Sequence, residues 1–292
     1  MDGSAVIVTA WDAPDGTFLS GLLGSIAAVG AGGRAVRVFV PGAAEADAVR
    51  LMQPSLGVVA VPLGGAGDGF SARIADTLPL LPQIVHGFSR YVWIDPAVWV
   101  VGEDAFTPYD EGAGKGALAG AYELDRSYRI FASARTPWRD YRSAYTHLFG
   151  AGAAKRMGFR AIVNTGMFAL PGNAPHWAAW REAFGSLDRE ARTWTESHLS
   201  ACQLALNLAV VRDRLPVAPL PALWNWLCHW ERPFWNGERL VEPEPPYAPI
   251  RVIHLAGQAR RRDMTIIGSR GGAFRSSLRF PLVVEAAGPK AA

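Results

Sequence analysis

Four short stretches of this 292-residue chain place chemically useful side chains at regular spacing. Asp95 closes the apolar run in YVWIDPAVWV. An acid at a strand end either offers oxygen ligands to a hard cation or simply begins a turn. Asn164 and Gly166 lie in AIVNTGMFAL. The amide offers donors and an acceptor to hydroxyl groups, and the glycine lets backbone approach a ligand; the plainer alternative is a bulged strand. Gln203 and Asn207, in SACQLALN, are four residues apart on one helix face. They either face a pocket or satisfy backbone groups within the core. His254, Gly257 and Arg260 follow one another in IHLAGQAR. That order supplies an imidazole, a permissive turn and a guanidinium fork suited to phosphate oxygens, against the alternative of a solvated basic loop.

The elements that must position these groups can be read from hydrophobic periodicity. Ala5–Ala10 (AVIVTA) is a continuous apolar run, as a buried parallel strand requires. Phe18, Leu19, Leu22, Leu23 and Ile26 recur at helical spacing, and Gly30 ends that helix. A strand at Arg37–Val40, a helix at Ala44–Met52 and a strand at Gly57–Val61 follow. This alternation predicts a Rossmann-like, mostly parallel sheet with flanking helices, an α/β fold in one domain. Thr9, Ala10 and Asp12 then end the first strand at the carboxyl edge, where open α/β sheets bind nucleotides. The pattern continues with a helix at Arg73–Leu81, strands at Tyr91–Ile94, Val98–Val101, Ala117–Ala121 and Ala161–Leu170, and a helix capped by Asn173. A long helix at Glu196–Val211 and a last short strand at Arg251–His254 complete it. The main domain is expected over residues 1–267, with a partly disordered tail over 268–292.

Composition excludes several classes of function. Net charge is +3, far from the dense basic stripe of a duplex-binding protein, though it suits an anionic small ligand. No nucleic-acid partner is expected. Cys202 and Cys228 are the only cysteines, and they form no zinc-type cluster. Reduced thiols and a cytoplasmic location are expected. The opening MDGSAVIVTA reads as a strand rather than a signal peptide, and no transmembrane segment is evident. The loop GGAGDG (64–69) follows the third strand, not the first, and does not fit a dinucleotide fingerprint.

Taken in order, the four stretches resemble the motifs of glycosyltransferase family eight, the glycogenin-like and lipopolysaccharide galactosyltransferase-like enzymes, over most of the chain. The resemblance implies a GT-A fold. It also implies transfer of a sugar from a nucleotide-diphosphate donor, a UDP-sugar by analogy, to a carbohydrate or other hydroxyl acceptor, with retention at the anomeric carbon. In that family an Asp-x-Asp strand and a histidine hold Mn²⁺ or Mg²⁺ against the diphosphate. Asp95 matches the first acid and His254 the histidine, but Ala97 stands in place of the second acid. The implied metal affinity is therefore lowered or lost, with Arg260 and its neighbours Arg261 and Arg262 compensating. Arg260 takes the place of the family's diphosphate-binding lysine, and Gly257 that of its glycine. Asn164, Gly166 and Gln203 match residues that line the sugar pocket, whereas Cys202 replaces an acid that lies beside the donor sugar; Glu196 is a candidate substitute. Phe18 stands near a base-contacting tyrosine position, Arg73 resembles the arginine that precedes the metal strand, and Asn225 in LPALWNW matches an amide.

The spatial expectation is that Asp95, His254 and Arg260 converge at one edge of the sheet. The alternative is a catalytically inactive nucleotide-sugar-binding protein on the same fold, because two acid positions are vacant. A nucleotidyltransferase would need a basic glycine-rich loop after the first strand, where AWDAPDGT has no Lys or Arg. A serine hydrolase would need GxSxG, which is missing.

Overall fold

The computed structural model describes residues 4–12, 16–65, 68–128, 137–196, 199–260 and 263–286. The first half builds an α/β layer: β1 (Ala5–Ala10), α1 (Thr17–Val29), β2 (Ala35–Val40), α2 (Ala43–Met52), β3 (Val59–Pro62), α3 (Asp68–Thr77), α4 (Leu81–Ile84) and β4 (Arg90–Ile94). The chain then passes through β5 (Val98–Val100), α5 (Thr107–Gly114), β6 (Leu118–Tyr122), α6 (Pro137–Met157, broken at Gly150) and β7 (Val163–Pro171). Next come α7 (His176–Gly185), α8 (Arg189–Arg192), β8 (Thr195–Glu196), β9 (Leu199–Ser200), α9 (Ala201–Arg212) and β10 (Val217–Leu220). Short strands finish the molecule: β11 (Trp226–Leu227), β12 (Phe234–Trp235), β13 (Leu240–Val241), β14 (Val252–His254), β15 (Met264–Gly268), β16 (Ala273–Ser276) and β17 (Glu285–Ala286).

Seven strands form the central sheet in the order β10-β6-β7-β4-β1-β2-β3. β1 runs parallel to β2 and β4, β2 parallel to β3 and β10 parallel to β6; β7 alone is antiparallel to its neighbours. The architecture is thus mixed α/β with a mostly parallel sheet and flanking helices. Both faces are covered, which explains the unbroken apolar run of β1. Val6, Val8 and Ala10 join one core with Trp177 and Trp180 of α7, while Ile7 joins the opposite core with Leu19, Leu22 and Leu23 of α1. Each such buried leucine contributes about 1.5–3 kcal/mol.

Because β7 is antiparallel, its first residues lie beside the last residues of β4 and β6. Ile94 pairs with Met167, the Asp95 N–H donates to the Gly166 carbonyl (2.7 Å), and the Glu123 N–H donates to Ile162 (2.9 Å). One edge of the sheet therefore gathers the ends of β1, β4 and β6 and the start of β7. After Asp95 the chain leaves the main sheet. β5 pairs antiparallel with β14, which itself pairs with β11, so His254 stands opposite Val98.

Four boundaries differ from the sequence expectation. The helix expected from Glu196 starts at Ala201, since β8 and β9 pair as a short hairpin and Ser200 caps α9 by accepting from the Gln203 N–H. Pro175 rather than Asn173 holds the N-cap position of α7, without a side-chain cap. Leu215–Pro221, which its prolines mark in the sequence as a broken segment, contains an edge strand, β10, where Pro219 is tolerated because one side of the strand is unpaired. Arg251–His254 is not the last strand. The segment expected to be a partly disordered tail carries β16 and β17, which extend a five-stranded sheet, β13-β12-β15-β16-β17, as far as Ala286. Leu278 is fully buried there and anchors it.

Candidate functional site

The gathered edge places Asp95 at the centre of a charged cluster. Its Oδ1 accepts from Arg260 Nη2 (2.6 Å) and from the Ala97 N–H (2.8 Å). Burial opposes ionisation of Asp95, but Arg260, His254 and the Ala97 N–H together hold its carboxyl below the usual value. The His254 ring packs against Gly166: a Cβ at position 166 would overlap the imidazole and crowd Asn164 Oδ1. Here glycine is a steric requirement, not a flexible joint. Gly257 has another reason to be glycine, its φ of +60°, which turns the chain after His254 so that Arg260 folds back over Asp95. Asp95, His254 and Arg260 are thus brought together.

Arg260 is fixed at two further points. Its Nε donates to the Leu255 carbonyl (3.1 Å), and its guanidinium lies over the Phe18 ring, 5.9 Å from the centroid. Arg279 covers the same ring at 4.8 Å and donates to the Arg260 carbonyl (2.8 Å). Cation–aromatic contacts of this kind contribute ~0.5–1 kcal/mol when exposed. Phe18 therefore stands at the site, as a platform for two guanidiniums. Arg279 was missed by sequence reading because its segment carried no motif. Arg261 and Arg262 lie outside the described residues.

Beneath this cluster is a buried polar network. Glu123 is fully buried. Its Oε1 accepts from Asn164 Nδ2 and Gln203 Nε2, both at 2.8 Å, and its Oε2 from the Tyr141 hydroxyl (3.0 Å). Asn164 Oδ1 accepts from the Gly166 N–H (2.8 Å) and from Asn225 Nδ2 (3.0 Å). Gln203 Oε1 accepts from the Thr165 N–H (3.0 Å) and hydroxyl (3.1 Å). Asn207 holds both the N–H and the carbonyl of Val163. Burial and then the Glu123 charge push the Tyr141 phenol well above its ordinary value, so it stays a donor.

Asn164 and Gln203, expected to line the sugar pocket, are engaged within this network. Both are 3% exposed, and their amides are engaged by Glu123, Thr165, Gly166 and Asn225, so they brace the wall of the site. The open group in the network is Asn225, whose fully buried Oδ1 has no hydrogen-bond partner among the described residues. Glu123 was also missed, although it follows a parallel strand directly, the same signal that marked Asp95.

The remaining predicted residues fall into two groups. Thr9 and Ala10 are buried at the end of β1, and the Thr9 hydroxyl lacks a partner among the described residues. Asp12 is drawn to α1, where its carboxylate accepts from the Phe18 (3.0 Å) and Leu19 (2.8 Å) N–H groups. It satisfies two otherwise orphaned donors of that helix. Arg73 is not brought to the cluster. Its Nη1 donates to the Leu63 carbonyl (3.3 Å) at the β3 edge, three strands from β4. The Glu196 side chain lies outside the described residues. Cys202 is a packed thiol, not a stand-in acid: its Sγ donates to Ala75 (3.3 Å), and burial followed by the Asp76 charge pushes it far up.

The residues present do not fit a resident divalent cation. Ala97 fills the second acid position with a methyl group buried among Trp99, Tyr128 and Trp226. The Asp95 carboxylate already neutralises a guanidinium, and among the described residues no group of three or more His, Cys, Asp or Glu side chains is placed to hold a metal.

No protein-family model and no curated protein sequence matches this chain. Solved structures do resemble it. Mouse xyloside xylosyltransferase 1, in its apo form, superposes with a TM-score of 0.53 at 13% identity, covering 86% of this chain and 97% of that one. The apo form of the glycosyltransferase GlyE from Streptococcus pneumoniae TIGR4 superposes with a TM-score of 0.52 at 12% identity, covering 88% of this chain and 55% of that one. At such identities the likeness shows a shared fold.

Proposed function

We propose that this protein is a glycosyltransferase that takes a sugar from a nucleoside-diphosphate donor, a UDP-sugar by analogy, and passes it to a hydroxyl acceptor with retention at the anomeric carbon. The observation that carries the reading is the meeting of Asp95, His254 and Arg260 at the carboxyl edge of β4, with Gly166 between strand and imidazole. Arg260 stabilises the negative charge that develops on the departing diphosphate, the largest contribution in chemistry of this kind. Asp95 holds that guanidinium in place. The Glu123 network keeps the Asn164–Gly166 strand rigid, so that the donor sugar meets a preorganised wall. The folds of a xylosyltransferase and of GlyE support the class.

A second reading, a nucleotide-sugar-binding protein without transfer activity, is favoured by one specific feature. Both acid positions next to the donor in the resembling family are apolar or neutral here, at Ala97 and Cys202. A panel of UDP- and GDP-sugars, followed by thermal shift and by release of free nucleotide, separates the two. A bound donor at 100 times its dissociation constant adds about 2.7 kcal/mol of stability. Turnover with a product of unchanged anomeric configuration supports transfer, whereas saturable binding without nucleotide release supports the second reading. Arg260→Ala and His254→Ala each weaken donor binding; calorimetry showing both variants unchanged would overturn the site.

A further inference from the structure

We propose that the diphosphate is gripped by two guanidiniums, Arg260 and Arg279, stacked on Phe18, and that this grip works without a divalent metal. The inference rests on the donor-site reading above and adds a residue and a charge mechanism to it. Both guanidiniums lie against one ring, at 5.9 and 4.8 Å from its centroid. Within the described residues Asp95 is the one carboxylate paired with either of them, and it pairs with Arg260. Arg279 donates to a carbonyl and to no carboxylate. Asp12, the nearest acid along the chain to Phe18 among the described residues, has both oxygens on the first N–H groups of α1. Two guanidiniums against one carboxylate leave positive charge in excess among the described residues, a field that attracts an anion.

The donor inventory agrees. Arg260 uses Nε on Leu255 and Nη2 on Asp95, and its Nη1 has no acceptor among the described residues. Two planar forks against one ring offer donors to the oxygens of a diphosphate, which needs donors on both phosphoryl groups. A cation at Asp95 and His254 would have to displace Arg260, and would meet a methyl at Ala97 where a further acid ligand is needed. The positive charge that a metal supplies elsewhere is here covalently part of the chain. Phe18 fixes the spacing of the forks, a platform beneath them rather than a contact with the base.

The test is calorimetry of UDP, GDP and inorganic pyrophosphate with the full chain, in EDTA and in excess Mn²⁺. The expected result is binding in EDTA that Mn²⁺ changes by no more than about twofold. Arg279→Ala weakens it by about tenfold or more in EDTA, as loss of a charge-assisted bond implies, and Arg279→Lys restores part of the affinity. Asp95→Asn shifts affinity by the same factor in EDTA and in Mn²⁺; at a metal site the same change would lower affinity only in Mn²⁺. Circular dichroism confirms that each variant is folded. Binding that appears only with Mn²⁺, or an Arg279→Ala variant with unaltered affinity, overturns the inference and leaves the donor-site reading standing. No binding of any of the three in either buffer overturns both.

Discussion

At the scale of single residues, position 166 shows how steric exclusion defines a site. The His254 imidazole occupies the space a Cβ would need. Gly166→Ala is expected to push the ring from its place, costing about 1–3 kcal/mol as overpacking does and weakening donor binding; urea denaturation alongside nucleotide titration measures both. Glu123 carries a different lesson. Its carboxylate accepts from two amides and a phenol at once. Glu123→Gln sets a new NH₂ against existing donors, and a loss of about 1–3 kcal/mol is expected. Because the braced strand also carries Gly166, the variant should lose donor affinity, unlike a surface Glu→Gln control. Glu123 was legible only in part: the sequence shows an acid after a strand, but its partners come from three other segments.

At the scale of elements, helix ends decide where the polar groups go. α1 begins at Gly16 in a left-handed conformation with no cap from its own N-cap residue, and Asp12 supplies the acceptors from before the turn. α9 begins at Ser200 and presents Gln203 in its first turn, directly against Thr165. α7 is tied to the chain leading into β10 by His176, whose Nε2 hydrogen-bonds the Pro216 carbonyl at 2.9 Å. Burial lowers the pKa of this imidazole, so the folded state holds it neutral. The native pKa lies below the unfolded value of about 6.5, so the contribution is complete above that pH and is lost as pH falls through the native pKa. The stability advantage of the wild type over His176→Gln should therefore shrink on acidification from pH 7 to pH 5, measured by urea midpoints. The four displaced boundaries arise at this scale, where caps and strand pairing outweigh periodicity.

At the scale of the whole molecule, the site depends on segments far apart in the chain. Asp95 and Arg260 are 165 positions apart, and Arg279 comes from the segment that closes the structure. Leu278 is fully buried, and Phe280 lies against Gly24 of α1 and 6.2 Å from Trp99. Removing residues 268–292 should thus cost about 3 kcal/mol or more from these two side chains alone. It should also abolish nucleotide binding; denaturant unfolding and calorimetry of the truncated chain test this. Among the described residues no helix is long and apolar enough to cross a membrane.

The sequence by itself determined the α/β architecture, the strands β1 to β7 to within two residues, and the grouping of Asp95, Gly166, His254 and Arg260. The architecture and strands follow from local information, apolar runs and turn residues, and the grouping follows from the resemblance of four motifs in their order. Tertiary structure alone decided which groups are open and which are engaged. Asn164 and Gln203 look equally available on paper, and only the approach of Glu123, Thr165 and Asn225 shows them satisfied. Arg73 has the right residue type but lies by β3, three strands from β4, and Arg279 has no motif but lies on Phe18. The reason is physical: whether a donor or a charge is satisfied depends on neighbours within a few ångströms, and folding draws those neighbours from anywhere along the chain.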